Sequence, residues 1–280
     1  MLNCLRDAGH IAYFAGGCVR DLLLGIEPKD WDIATDAPPS RVRELFLSTQ
    51  AVGAAFGVIL VRHRRSVVEV ATFRAEGPYL DGRHPSKVTF TTAEQDAQRR
   101  DFTINGLFLD PTEDRVIDYV GGQADLKAQR IRAIGDPDAR FEEDHLRMLR
   151  AVRFAARFGF TIEQQTAAAI VAHAGQLKRI SPERIAEELR MMLTSATRVD
   201  AWRMLWELQL LQVILRGLPE KPRRPYSDTH TPPLFPLIAT GEPIGFGLSL
   251  AGLVLCYRRG QVPTETLLTR AEIQLSLIHI

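Results

Sequence analysis

Ala12-Tyr13-Phe14-Ala15-Gly16-Gly17-Cys18-Val19-Arg20-Asp21 is the stretch from which the fold is read. An apolar and aromatic run predicts a strand over His10 to Phe14, the two glycines a sharp turn, and the residues after them a helix over Val19 to Leu24. A glycine pair at such a junction lets the backbone approach a phosphate closely. It also aims the N–H groups of a helix start at that phosphate, with Arg20 adding positive charge. The same turn serves purely structural ends in many proteins, and the spacing fits neither G-x-x-x-x-G-K-[ST] nor G-x-G-x-x-G. Gly16, Gly17 and Arg20 are nucleotide-binding candidates only in company.

Company comes from Lys29-Asp30-Trp31-Asp32-Ile33-Ala34-Thr35. On a strand, residues two apart share a face, so Asp30 and Asp32 are expected to converge while Trp31 and Ile33 turn inward. Two adjacent carboxylates repel unless a cation lies between them, which is how magnesium ions are gripped in phosphoryl-transfer sites. An exposed pair at a strand end would give the same pattern. Glu69 interrupts the apolar run Val67 to Ala71 and is either a third catalytic carboxylate or a solvent-facing position. In Arg99-Arg100-Asp101-Phe102-Thr103-Ile104-Asn105-Gly106, a helix would put Asp101 and Asn105 on one face as acceptors for a sugar hydroxyl, with Arg100 near phosphate. A simple Asp cap reads equally well. In Glu143-Asp144-His145-Leu146-Arg147-Met148-Leu149-Arg150-Ala151-Val152-Arg153, Asp144 and Arg147 fall at i, i+3, and Arg150 and Arg153 prolong that side; a surface ion pair is the plainer meaning.

Around these motifs, the chain is organised in two styles. Up to about residue 135, further strands are expected over Trp31–Thr35, Gly57–Arg62, Val67–Arg74, Leu107–Asp110 and Ile131–Ile134, with a helix over Ser40–Ser48. From Asp138 strands vanish and apolar residues recur at three and four, predicting helices over 162–174, 182–194 and 200–211. The divisions are 1–136 for an α/β unit, 137–215 for a helical unit, and 216–280 for a Pro-rich linker and a partial, truncated-looking helical stretch. The final Leu275-Ser276-Leu277-Ile278-His279-Ile280 resembles translated sequencing adapter, so the native ending is expected to differ.

Across 280 residues, 45% hydrophobic and 25% charged describe a globular protein and exclude disorder as a whole-chain account. A net charge of +1 advertises no global attraction to polyanions, so a phosphate site must be local. Of 35 basic residues, 30 are Arg, whose planar fork suits phosphate and base edges, although GC-rich coding gives the same bias. Cys4, Cys18 and Cys256 form neither a disulfide framework nor a zinc motif, and no signal peptide precedes them, so a cytoplasmic location is expected. The longest apolar run, Ile244 to Cys256, is about 20 Å as helix against a roughly 30 Å bilayer core, which reads as a buried helix and no membrane span.

Gly-Gly-Cys-Val-Arg-Asp, Asp-Trp-Asp-Ile-Ala-Thr, Arg-Arg-Asp-Phe-Thr-Ile-Asn and Glu-Asp-His-Leu-Arg-Met-Leu-Arg-Ala-Val-Arg-Phe stand here in the order of the class II tRNA nucleotidyltransferases. The chain resembles that family of CCA-adding enzymes and bacterial poly(A) polymerases from its first strand through Arg184-Ile185. Asp118 to Leu126 is similar to the family's hinge between head and neck. The resemblance implies a catalytic α+β head over 1–136, a mixed sheet with helices of the DNA polymerase β-like kind, followed by an all-α neck over 137–215 that binds nucleotide and RNA and a partial helical body within 216–280. It implies an enzyme that adds C and A to the 3′ end of tRNA from CTP and ATP, releasing pyrophosphate. Asp30 and Asp32 would hold Mg2+, Arg100, Asp101 and Asn105 phosphate and ribose, Asp144 and Arg147 the base, Arg150 and Arg153 the triphosphate.

Elementary hydrogen bonding supports the base-reading pair. A carboxylate accepts and a guanidinium donates, which complements an exocyclic amine beside a bare ring nitrogen, the edge cytosine and adenine share. Uracil and guanine reverse the pattern and would leave buried groups unpaired, at about 1–3 kcal/mol each. The stretch 75–98, rich in Gly and Pro, corresponds to a mobile loop of the family and reads equally as a long surface loop. The Arg-Arg-Phe associated with poly(A) polymerases is absent after the D-x-D, and Ala55 to Val61 is more like the CCA-adding side. A poly(A) polymerase, CC-only or A-only enzymes and a noncatalytic RNA-binding protein stay as alternatives, and oligomeric state is not legible.

Overall fold

A computed structural model of the chain describes residues 1–53, 57–63, 66–77, 88–215 and 242–258. The Pro-rich stretch 219–236, Ala55–Phe56, the middle of 75–98 and the final 275–280 lie outside the described residues. The chain divides into two compact units, Met1–Glu143 and Asp144–Ile280.

The first unit is a seven-stranded sheet with helices on its faces. Along the chain run α1 (Leu2–Asp7), β1 (Ala12–Ala15), α2 (Gly17–Leu23), β2 (Asp32–Thr35), α3 (Pro39–Leu45), β3 (Thr49–Gly53), β4 (Val58–His63) and β5 (Ser66–Thr72). There follow β6 (Arg74–Glu76), β7 (Val88–Phe90), α4 (Ala93–Gln98), a 3₁₀ turn at Thr103–Asn105, β8 (Leu107–Asp110), β9 (Arg115–Asp118), α5 (Gly122–Lys127), β10 (Arg130–Ile131) and α6 (Pro137–Glu143). The sheet order is β3-β4-β5-β2-β1-β8-β9. Neighbours are antiparallel except β2 and β5, which run parallel with Asp32 opposite Glu69 and Ile33 opposite Val70.

Central strands are apolar on both sides because both sheet faces are covered, which is why Ala12–Ala15 reads as a continuous run and not an alternation. On one face Ala12, Ile33, Ile59, Val61 and Val70 pack with Leu2 and Leu5 of α1 and Val42 of α3. On the other, Ala15, Ala34, Phe73 and Phe108 pack with Ala93 and Ala97 of α4. Strand parity then places Asp32 and Glu69, each one residue from Ile33 and Val70, on the α4 face.

The second unit contains α7 (Arg147–Phe158), a short strand β11 (Thr161–Ile162), α8 (Gln164–His173), α9 (Pro182–Leu193), α10 (Arg198–Glu207), α11 (Leu211–Ile214) and α12 (Phe246–Arg258). Met148, Val152, Leu189, Met192, Leu193, Trp202 and Leu205 are buried where α7, α9 and α10 meet. Gly159, at φ 68°, ends α7 with the left-handed residue a helix stop favours. The apolar run near residue 250 is helical, with Leu250 and Ala251 buried but Leu248 exposed. Among the described residues no helix is long and apolar enough to cross a membrane.

The two compact units meet after Glu143, with α6 at the end of the first. Strands do not end at Asp138, since β11 follows, and β3, β7 and β9 are strands beyond those expected. The stretch 75–98 is not all loop: β6 pairs with β7, and α4 starts at a Thr92 cap.

Candidate active site

The glycine turn is enforced from both sides. Gly16 has φ 71° and ψ −124°, where an L side chain is strained, and a Cβ there would lie 2.6 Å from Nη1 of Arg100. Strand β1 therefore stops at Ala15, and α2 starts beside the Arg100 guanidinium.

The carboxylates assemble differently from the strand-alternation expectation. β2 begins only at Asp32; Asp30 is exposed on the bend before it, and Trp31 packs at a tilt against Phe14 with ring centroids 4.7 Å apart. What lies beside Asp32 in register is Glu69, brought there by the parallel pairing of β2 with β5. Glu69 itself is exposed, so its charge costs the strand little. Asp32 is half-buried, and its carboxyl is pushed up to about 6. Burial is the largest cause and the charge of Glu69 the next, partly offset by Arg100, with Asp30 adding a smaller push. Among the described residues no group of three His, Cys, Asp or Glu side chains forms a ready-made metal cluster. The donors are nonetheless all oxygen, and an excess of negative charge at Asp32 suits a hard divalent ion that keeps water and shares phosphate oxygens.

Arg100 is fixed by a residue outside the four motifs. Asp96 of α4 is buried and binds Arg99 at 2.7 Å and Arg100 at 3.0 Å, while accepting the Arg74 N–H. Burial works against its ionisation, but the two guanidiniums and the Arg74 N–H hold its carboxyl below the usual range. The i, i+3 and i, i+4 spacing of Asp96 to Arg99 and Arg100 was the available signal. Arg100 also lies over the Phe108 ring at 5.0 Å and donates to the Asn105 carbonyl at 3.1 Å.

Asp101 and Asn105 do meet, though not on an α-helix. Asp101 precedes the 3₁₀ turn that ends at Asn105, and the Asn105 amide donates to Asp101 Oδ1 at 2.9 Å. The Phe102 N–H donates to the same oxygen at 2.8 Å. Arg20, expected to face phosphate, points inward: it is 4% exposed, donates to Asp21 Oδ1 through Nε at 2.8 Å, and to Asn105 Oδ1 through Nη1 at 2.6 Å. The turn after β9 is held by Asp118, which accepts the N–H groups of Val120, Gly121, Gly122 and Gln123.

In the second unit Asp144 stands before α7 and not on it, so Asp144 and Arg147 are not two positions of one helix. Its Oδ1 accepts the Leu146 N–H at 3.0 Å, and its Oδ2 pairs with Arg184 of α9 at 3.1 Å. Arg147 is buried at the first position of α7. Arg150 and Arg153 both lie over the Phe154 ring, at 5.4 Å and 4.4 Å, and Arg153 is bound at 2.6 Å to the buried Glu188. Arg184 and Glu188 sit some 35 to 40 residues downstream, beyond the reach of local spacing.

Residues 12–132 match the family model described as "Poly A polymerase head domain", and residues 159–221 the one described as "Probable RNA and SrmB- binding site of polymerase A". The chain is 46% identical over 195 residues to the CCA-adding enzyme of Levilactobacillus brevis, a match covering 69% of this chain and 49% of that protein. It spans about half the length of the curated relatives it matches. Among solved structures it resembles the Bacillus stearothermophilus CCA-adding enzyme in complex with CTP, with TM-score 0.73 and 32% identity over 100% of this chain and 69% of that one. It also resembles a tRNA nucleotidyltransferase complexed with a primer tRNA and an incoming ATP analog, with TM-score 0.72 and 25% identity over 99% of this chain and 83% of that one. The sheet order, the Gly-Gly turn against Arg100 and these likenesses together place the chain in the family of the CCA-adding enzymes and poly(A) polymerases.

Proposed function

We propose that the protein adds C and A nucleotides to the 3′ end of tRNA from CTP and ATP. The primer 3′-hydroxyl forms a bond to the α-phosphorus, and the bond to pyrophosphate breaks. The observation that carries this reading is the rung of Asp32 and Glu69, an excess of carboxylate facing the helix layer that presents Arg100 beside the glycine turn. Relatives of the same family include enzymes bound to CTP and to a primer tRNA with an ATP analog.

Asp30 and Asp32 are the residues that would hold Mg2+, with Glu69 as the third carboxylate beside them. When bound, the ion supplies charge neutralisation at the transferred phosphate and activation of the attacking hydroxyl. Arg100, kept in place by Asp96, supplies a fixed positive charge for phosphate oxygens, and its stacking on Phe108 limits how far it can stray. Asp101 and Asn105 offer the acceptors for ribose hydroxyls. Asp144 and Arg147 are assigned to the base edge, where their acceptor and donors suit cytosine and adenine; the Arg184 contact holds the Asp144 carboxylate still. Arg150 and Arg153 are assigned to the triphosphate. A cytoplasmic location belongs to the same proposal.

Three tRNA primers, ending before CCA, after C and after CC, test it with CTP, ATP or both and magnesium. Stepwise CCA followed by arrest is expected. A long A ladder identifies a poly(A) polymerase, and CC-only or A-only products a specialist. No incorporation on any primer, with the helical unit folded, overturns the assignment.

A further inference from the structure

Arg20 belongs to a buried relay that the phosphate-facing expectation does not explain. Its guanidinium has two working edges: Nε and Nη2 grip Asp21 Oδ1 at 2.8 and 2.7 Å, and Nη1 donates to Asn105 Oδ1 at 2.6 Å. Asn105 then donates through Nδ2 to Asp101 Oδ1 at 2.9 Å. Arg20, Asp21, Asn105 and Asp101 are each 8% exposed or less.

The chemistry of the middle residue is directional. A guanidinium only donates and a carboxylate only accepts, so the Asn105 amide is the adapter between them. Were the amide turned over, its NH2 would face the Arg20 donors and its oxygen the Asp101 oxygen, losing both bonds. Arg20 thus fixes which way the amide of Asn105 points, and through it the setting of the Asp101 carboxylate. Arg100 holds the same residue by its main-chain carbonyl at 3.1 Å, so the side chain is what Arg20 alone controls among these two arginines.

We propose that Arg20 is a positioning residue which, through the Asn105 amide and the Asp101 carboxylate, sets the preference for ribonucleotides over deoxyribonucleotides. It rests on the proposed transferase reading, in which Asp101 and Asn105 meet the sugar. A hydroxyl must find an acceptor at a fixed place to be distinguished from hydrogen, and a buried, oriented carboxylate provides it. A nucleotide lacking the 2′-hydroxyl gains nothing from that order and loses nothing when it is disturbed.

Arg20→Lys is the discriminating variant. An ammonium can still neutralise Asp21, so the fold survives, but it cannot span both Asp21 and Asn105 as a planar fork does. Calorimetry with the full chain, magnesium and CTP, 2′-deoxy-CTP or pyrophosphate reads the effect. CTP binding is expected to weaken about tenfold, with 2′-deoxy-CTP and pyrophosphate unchanged. In turnover, KM for CTP rises by that factor while kcat stays within about threefold. The double variant Arg20→Gln with Asp21→Asn, which removes both buried charges, repeats the test without leaving Asp21 unpaired. Equal weakening of CTP, 2′-deoxy-CTP and pyrophosphate would make Arg20 a phosphate ligand and overturn the proposal, as would no change at all. Wild-type protein that prefers CTP in binding but extends no primer sinks the transferase reading alone. Wild-type protein that binds the two nucleotides equally, or neither, sinks this one.

Discussion

Replacing Asp32 by Asn should make the head unit more stable, and only at neutral or alkaline pH. The carboxyl titrates at about 6 in the fold against 3.8 for the ordinary group, because it is partly desolvated and shares a rung with Glu69. A folded pKa above the unfolded one means that the fold favours the protonated form. Its stability contribution is complete below about 3.8 and is lost as pH rises through about 6. The difference is about 2 pKa units, or about 3 kcal/mol at 1.36 kcal/mol per unit, an upper bound for a fully shielded group. Asp32 is only half-buried, and solvent screening reduces this to about 1.5 kcal/mol. Near pH 8, Asp32→Asn is therefore expected to raise the melting temperature by about 3–6 °C. Near pH 4 the variant and the wild type should coincide. Hydrogen exchange of β2 and β5 amides in increasing urea isolates the head from the helical unit. Magnesium should stabilise the wild type and narrow the gap while leaving Asp32→Asn unmoved. Equal stability at pH 8, or a variant less stable there than the wild type, would refute the electrostatic reasoning.

Gly16→Ala meets both an unfavourable φ and the Arg100 guanidinium, so a loss of about 1–3 kcal/mol is expected in thermal unfolding, with CTP affinity falling as Arg100 is displaced. Glu188→Gln leaves Arg153 without its buried counter-charge; a loss of about 3 kcal/mol is expected in urea unfolding followed by Trp202 and Trp206 fluorescence, and an unmoved midpoint would show the pair to be worth nothing. Asp118→Ala strips four N–H groups of their acceptor and should cost about 2 kcal/mol, with faster exchange at Val120 to Gln123 as the local readout.

The parts of the site that were legible in the sequence are those set by local chemistry. Gly16-Gly17 announced a turn because few other residues accept its backbone, and Leu107–Asp110 announced a strand because its apolar character is bounded by glycine and proline. The helices of the second unit followed from spacing at three and four, and α9 began at its Ser-Pro signal. What stayed hidden depends on contacts between distant segments. Asp30 and Glu69 both read as candidate companions of Asp32, but only the parallel pairing of β2 and β5 shows that Glu69 is its neighbour in register, while Asp30 stands on the bend before the strand. Arg20 reads as a charge for phosphate until the fold places Asn105, 85 positions later, against its Nη1. Asp144 and Arg147 read as one helical face because nothing local marks where α7 begins. Fixed partners such as Arg184 and Glu188 have no local signature, since an ion pair across 35 or 40 residues is created by packing alone.

The single parallel pairing in the sheet bears on how the proposed site assembles. β3, β4 and β5 form a meander from neighbouring segments, and β1 and β2 pair across one helix, so both pieces can form early from short loops. Asp32 and Glu69 reside on different pieces and come together only when β2 docks along β5. During refolding, magnesium-dependent nucleotide binding should therefore return with the slowest phase, after most secondary structure is in place. A partly folded molecule would hold its carboxylates apart, unable to capture nucleotide, and would be spared their mutual repulsion until the rest of the sheet is strong enough to bear it.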